Sequence, residues 1–82
     1  MAAPAERWRR RAEANVGEWG HQQVGTILLA IQEELGELTR AHLEARDEGG
    51  DPERIQAELD DLAALLFQLQ WALDGAGGAT EG

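Results

Sequence analysis

The chain has 82 residues, a net charge of -9, no cysteine, and seven basic residues that are all arginine. A chain of this size makes one small domain with a limited core of its own, the kind that leans on a metal or a partner chain. The missing cysteine excludes disulfides, thiolate metal sites and thiol catalysis, and the acidic balance argues against nucleic acid as a partner, because phosphates are repelled over most of the surface.

Taken in order, residues 1–4 read as a flexible N-terminus, with Pro4 acceptable in a first helical turn. From Ala5 onward Trp8, Ala12, Val16 and Trp19 recur at three- or four-residue spacing, which predicts an amphipathic helix. Gly17 and Gly20 should end it between Asn15 and Gly20. Arg9, Arg10 and Arg11 project from its other faces, either as a solvated basic face or as phosphate contacts. The arginines are followed by Ala12-Glu13-Ala14-Asn15 and not by an apolar segment, so they do not read as an export signal. No apolar run approaches the roughly 20 residues needed to span a bilayer. A cytoplasmic location without membrane contact is the expectation.

A second helix is expected from about Gln22 to Asp47, with Val24, Ile27, Leu28, Ile31, Leu35 and Leu38 as its stripe. His42 falls on that stripe and is expected to pack there. Gly49-Gly50 should terminate the helix, with Asp51 as the N-cap of a third and Pro52 in its first position. The third helix, from about Pro52 to Leu73, carries the stripe Ile55, Leu59, Leu62, Leu66, Leu69 and Leu73. Phe67 and Trp71 lie four apart on another face and suggest a further buried surface, most simply a dimer interface. Residues 75–82 are rich in glycine and lack any packing side chain, so a disordered tail is expected after a helical domain spanning 5–74. The fold class is all-α: a helix followed by an antiparallel helical hairpin, assembling into a four-helix-bundle-type oligomer.

An octet occurs twice in the two hairpin helices. Ile31-Gln32-Glu33-Glu34-Leu35-Gly36-Glu37-Leu38 returns 24 residues later as Ile55-Gln56-Ala57-Glu58-Leu59-Asp60-Asp61-Leu62. With each helical residue advancing about 100°, Glu34 lies about 60° and Glu37 about 120° to one side of Ile31. Glu58 and Asp61 take the same places relative to Ile55. Facing the two stripes across an antiparallel hairpin brings these margins to one side, where four carboxylates converge. Such a group repels itself unless a cation neutralises it, and an all-oxygen set suits Mg2+, Mn2+ or Ca2+.

These residues resemble a known family. Glu33-Glu34-Leu35-Gly36-Glu37-Leu38 and Glu58-Leu59-Asp60-Asp61-Leu62 are similar to the EExxE and ExxD motifs of the MazG-like, all-α nucleoside triphosphate pyrophosphohydrolases, over roughly residues 19–73. That superfamily also includes dimeric dUTPases, dCTP pyrophosphatases and phosphoribosyl-ATP pyrophosphatases. The resemblance implies Mg2+-dependent hydrolysis of a nucleoside triphosphate to a monophosphate and pyrophosphate, by water attack, in a homo-oligomer (a dimer or a dimer of dimers). By position it makes Glu34, Glu37, Glu58 and Asp61 metal ligands, and Glu33 a further ligand or the base that orients water. Asp60 stands where the family usually has a small residue, and it is expected to be solvated. Many relatives carry phosphate-binding cations on a further helix; here Arg9, Arg10, Arg11, Arg40 or a partner subunit would supply that charge. Trp19 and His21 precede the second helix where an aromatic ring could stack on a base, with packing the alternative for Trp19.

Two other readings compete. Acid pairs on helices are often merely solvated, which would make the chain a non-catalytic helical oligomerisation or interaction module. A carboxylate di-iron bundle needs Glu-x-x-His on two helices, and the one candidate, Glu18-Trp19-Gly20-His21, straddles an expected helix break.

Overall fold

The computed structural model describes residues 3–75, and among these the chain is three helices with no strand: α1 (Pro4–Trp19), α2 (Val24–Asp47) and α3 (Glu53–Asp74). Helix α1 begins at Pro4, one residue inside the stretch expected to be flexible, because proline's fixed φ and missing N–H suit a first turn. Of the tail expected to be disordered, residues 76–82 lie outside the described part.

Between α2 and α3 the chain turns within five residues. Gly49 adopts φ +74°, in the left-handed region, which brings the Gly50 N–H onto the Glu44 carbonyl at 2.9 Å. A Cβ on Gly50 would lie 3.1 Å from the Glu44 Cβ, so the turn is built for glycine there. The Asp51 carboxylate then accepts the Glu53 N–H at 2.9 Å, the N-cap role expected of it.

Helix α3 is the middle element. Helix α2 packs antiparallel along one flank and α1 along the other. The α1 contacts advance together with α3: Arg7 and Trp8 meet Asp60, Arg11 meets Asp61, and Asn15 meets Gln68. Helix α1 therefore runs parallel to α3.

This polar seam corrects the expectation for Asp60. It is not solvated but buried, its Oδ1 accepting Trp8 Nε1 at 2.8 Å, Gln56 Nε2 at 2.8 Å and Arg7 Nη2 at 3.1 Å. Burial raises its pKa, but those hydrogen bonds and the Arg7 charge outweigh it and hold the carboxyl below its ordinary range. The reason lies in the wheel: Asp60 points about 200° from Glu58, away from α2, and that is the flank α1 covers.

The apolar core is made of small residues. Ala12, Ala41, Ala63, Ala64 and Ala72 are buried together with Ile27, and no large side chain among the described residues is fully enclosed. Leu28, Leu29, Leu35, Leu43, Leu66 and Leu73 are left between 40% and 65% exposed. Leu28, Leu35, Leu66 and Leu73 belong to the stripes expected to face across the hairpin. One neighbouring helix does not cover so wide a stripe. On α2, Leu35 lies only about 20° from Leu28, whereas buried Ile27 and Ala41 lie about 100° and 140° round on the same side. His42, also expected to pack, is exposed; it sits about 40° from Leu28, among these uncovered leucines. Phe67 and Trp71 are half-buried and meet edge to face, with ring centroids 6.1 Å apart. No helix of the described residues is long and apolar enough to cross a membrane.

Candidate metal centre

The hairpin brings the first acid pair of one octet onto the other octet. One carboxylate oxygen each from Glu34 and Glu37 on α2 and from Glu58 on α3 lie within 4.8 Å of one another. The helix wheel explains the meeting: Glu34 borders the buried side of α2, and Glu58 is buried in the α2–α3 seam.

Electrostatics strain this arrangement. The Glu34 pKa is raised from an ordinary 4.5 to about 8, first by burial, then by its hydrogen bond to Glu58, and then by the negative charges of Glu58, Asp61 and Glu37. Glu58 moves the other way, held down by the bond from Glu34 and by Arg54, whose Nη2 donates to Glu58 Oε2 at 3.1 Å. The Glu34 Oε2 atom is buried and, as a carboxylate oxygen, has no donor. A proton shared with Glu58 relieves it, and so would a cation. Oxygens on opposite sides of a divalent ion stand about 4.2 Å apart for Mg2+ and up to about 5 Å for Ca2+. The three carboxylates could hold a hard divalent ion.

Beside them runs an open groove of 330 Å³, lined by Glu33, Glu34, Glu37 and Asp61 together with Asn15, Trp19, Ala30 and Leu65. Four of the five acids singled out in the sequence share this groove, and the fifth, Glu58, joins the triad. Asp61, expected beside the other three, lies at the groove edge with its Oδ1 on Arg11 Nη1 at 2.8 Å. Trp19 is 63% exposed, so it does not pack; its indole forms a wall of the groove.

The remaining candidates are not brought to the groove wall. Arg9 and Arg10 bond along their own helix to Glu13 and Glu6. His21 is exposed in the α1–α2 connection. Arg40 faces Glu44 at 3.9 Å, on a separate shallow groove with Thr39 and Glu48.

Two further residues belong to this surface. Arg54 bridges Glu58 and, at 3.6 Å, Glu44; its i,i+4 spacing to Glu58 was the available signal. Asn15 lines the groove and donates to Gln68 at 2.9 Å, and nothing in the local sequence marks it. No protein-family model, curated protein or solved structure matches the chain.

Proposed function

We infer that the chain is a Mg2+-dependent nucleoside triphosphate pyrophosphohydrolase that also accepts Mn2+, releasing a nucleoside monophosphate and pyrophosphate in house-cleaning or control of the cytoplasmic nucleotide pool. The observation that carries this reading is the triad of Glu34, Glu37 and Glu58, converging from two helices around a buried oxygen without a donor. The motif resemblance of the same residues supplies the reaction.

On this reading Glu34, Glu37 and Glu58 hold the ion, and Asp61 at the groove edge completes the set. A bound divalent ion neutralises phosphate charge and lowers the pKa of a water. Glu33 lines the groove without belonging to the triad. It accepts the proton of the attacking water while the bond between the α-phosphorus and its bridging oxygen breaks and pyrophosphate leaves. Trp19, exposed on the groove wall, offers an aromatic face on which a base stacks.

The protein acts as a homo-oligomer, two hairpins forming a four-helix bundle. Support comes from the exposed leucines of α2 and α3, apolar side chains that a second hairpin would cover. One observation favours the non-catalytic module instead: Asp61 and Glu58 already have arginine partners, Arg11 and Arg54. Screening common and modified nucleoside triphosphates for pyrophosphate release with Mg2+ and Mn2+ decides between the two. Metal-dependent release from any of them supports the enzyme; silence across the panel leaves the module.

A further inference from the structure

All seven arginines of the chain lie within 4 Å of a carboxylate, and just two of them touch acids of the candidate centre. Arg54 is held by two acids, Glu44 and Glu58, near the hairpin turn. Arg11 has a single partner, Asp61, at the edge of the groove, and its side chain is 45% exposed. Every charged residue lining that groove is an acid, a poor surface for a polyphosphate. Arg11 is the cation nearest to changing that.

We propose that Arg11 is an exchangeable counter-ion. It pairs with Asp61 while the centre holds no metal, gives Asp61 up when a divalent ion enters, and then turns its guanidinium to the phosphate chain. The inference rests on the metal-centre reading above. Three features of the structure support it.

First, of the four acids assigned to the ion, Asp61 is the one whose oxygen is outside the 4.8 Å triad, and its Oδ1 is the atom Arg11 takes. Second, Arg11 can let go without releasing its helix. One turn before it, Arg7 and Trp8 are bonded to Asp60, and one turn after it Asn15 is bonded to Gln68; Ala12 is fully buried between them. Third, Asn15, on the same face of α1 as Arg11, lines the groove, so a freed guanidinium stays within a turn of any ligand there. Arginine also suits the second partner, since its fork donates bidentately to phosphate as well as to carboxylate. Arg11 is a positioning residue in the free protein and touches the substrate only after exchange.

The test follows the full-length protein by calorimetric Mn2+ titration, then by titration of imidodiphosphate (a non-hydrolysable probe) into the Mn2+-loaded protein. Arg11→Gln should tighten Mn2+ binding about two- to fivefold, the size of an exposed ion pair. The same variant should weaken imidodiphosphate binding about tenfold or more, the size of a charge-assisted hydrogen bond. Arg10→Gln removes the same charge from the same helix and should shift Mn2+ affinity less than Arg11→Gln does. In the wild type, the Arg11 Nε–H resonance should move on Mg2+ addition while the Trp8 Nε1–H resonance, bonded to Asp60, stays. That measurement needs no variant to fold. If Arg11→Gln and Arg10→Gln change Mn2+ affinity equally, or the Arg11 resonance is indifferent to Mg2+, the exchange is wrong although the centre stands. Wild type that binds no Mn2+ overturns the metal centre and the exchange with it.

Discussion

Glu34 and Glu58 hold the same place in the two octets, 24 residues apart, and across the hairpin a carboxylate oxygen of each lies within 4.8 Å of the other, a proximity that raises one pKa and lowers the other. The pair keeps a proton that water would strip from an isolated glutamate. Its consequence for stability has a definite sign. Glu34 is raised from 4.5 to about 8, so the folded chain binds a proton that the unfolded chain has lost. That contribution is complete below the unfolded pKa and disappears as pH climbs through the folded one. Glu58, lowered, acts oppositely: its contribution is present above its ordinary pKa and lost as pH falls below it. Metal-free protein should therefore melt at progressively lower temperature between about pH 5 and pH 8. Glu34→Gln, neutral throughout, should flatten that slope. Circular-dichroism melts in EDTA across the pH series check it; an unchanged slope in Glu34→Gln would place the proton elsewhere.

Metal should replace that proton. Mg2+ or Mn2+ at 100 times its dissociation constant adds about 2.7 kcal/mol, which for a domain of this size is about 10 °C or more in Tm. Binding at neutral pH should release close to one proton, read as a dependence of the calorimetric heat on buffer ionisation enthalpy. Glu58→Gln should lose the metal-induced stabilisation. A variant that keeps it locates the ion away from the triad.

Asp60 tests the docking of α1. Asp60→Ala strands Trp8 Nε1 and removes the acceptor of Arg7 and Gln56. A loss of about 1–3 kcal/mol is expected, with Trp8 emission shifting toward that of a solvated indole. Asp60→Asn keeps an oxygen for the indole and should cost less. If both variants melt like wild type, the α1–α3 seam is held by the alanines and not by this network.

The exposed leucines test the assembly. Replacing Leu28 and Leu35 together by glutamate places charge on the uncovered α2 face while leaving the buried Ile27 and Ala41 side intact. Light scattering should show wild type as a dimer or larger and the double variant as a folded monomer. A monomeric wild type at micromolar concentration removes the bundle.

How far the sequence could be read depended on whether one helix or several set a residue's surroundings. Helix bounds came out within two residues because Gly20, Gly49 and Asp51 act locally, through left-handed φ and a side-chain cap. The triad was legible because two octets with one spacing, folded on a short turn, leave little freedom for where Glu34, Glu37 and Glu58 meet. Asp60, Asn15 and the pairing of Arg11 with Asp61 were not. Each takes its role from how α1 lies on α3, and no spacing within either helix specifies that register. Leu35 and His42 failed for a related reason: a stripe shows which residues are apolar, but not how many neighbours there are to cover them.

The acids should divide by role. Glu37→Gln should weaken Mn2+ binding and turnover together. Glu33→Gln should leave metal affinity within a few fold yet lower kcat by about 10²–10⁴, the usual worth of a positioned base. Equal loss of metal in both would make Glu33 a ligand.

The most direct measurement for the whole account is the product spectrum. Phosphorus NMR of a nucleoside triphosphate turned over with Mg2+ resolves pyrophosphate and monophosphate from orthophosphate and diphosphate. Wild type should give pyrophosphate with monophosphate, and turnover should fall to background in Glu58→Gln. Orthophosphate with diphosphate, or pyrophosphate formed equally well by Glu58→Gln, would contradict it.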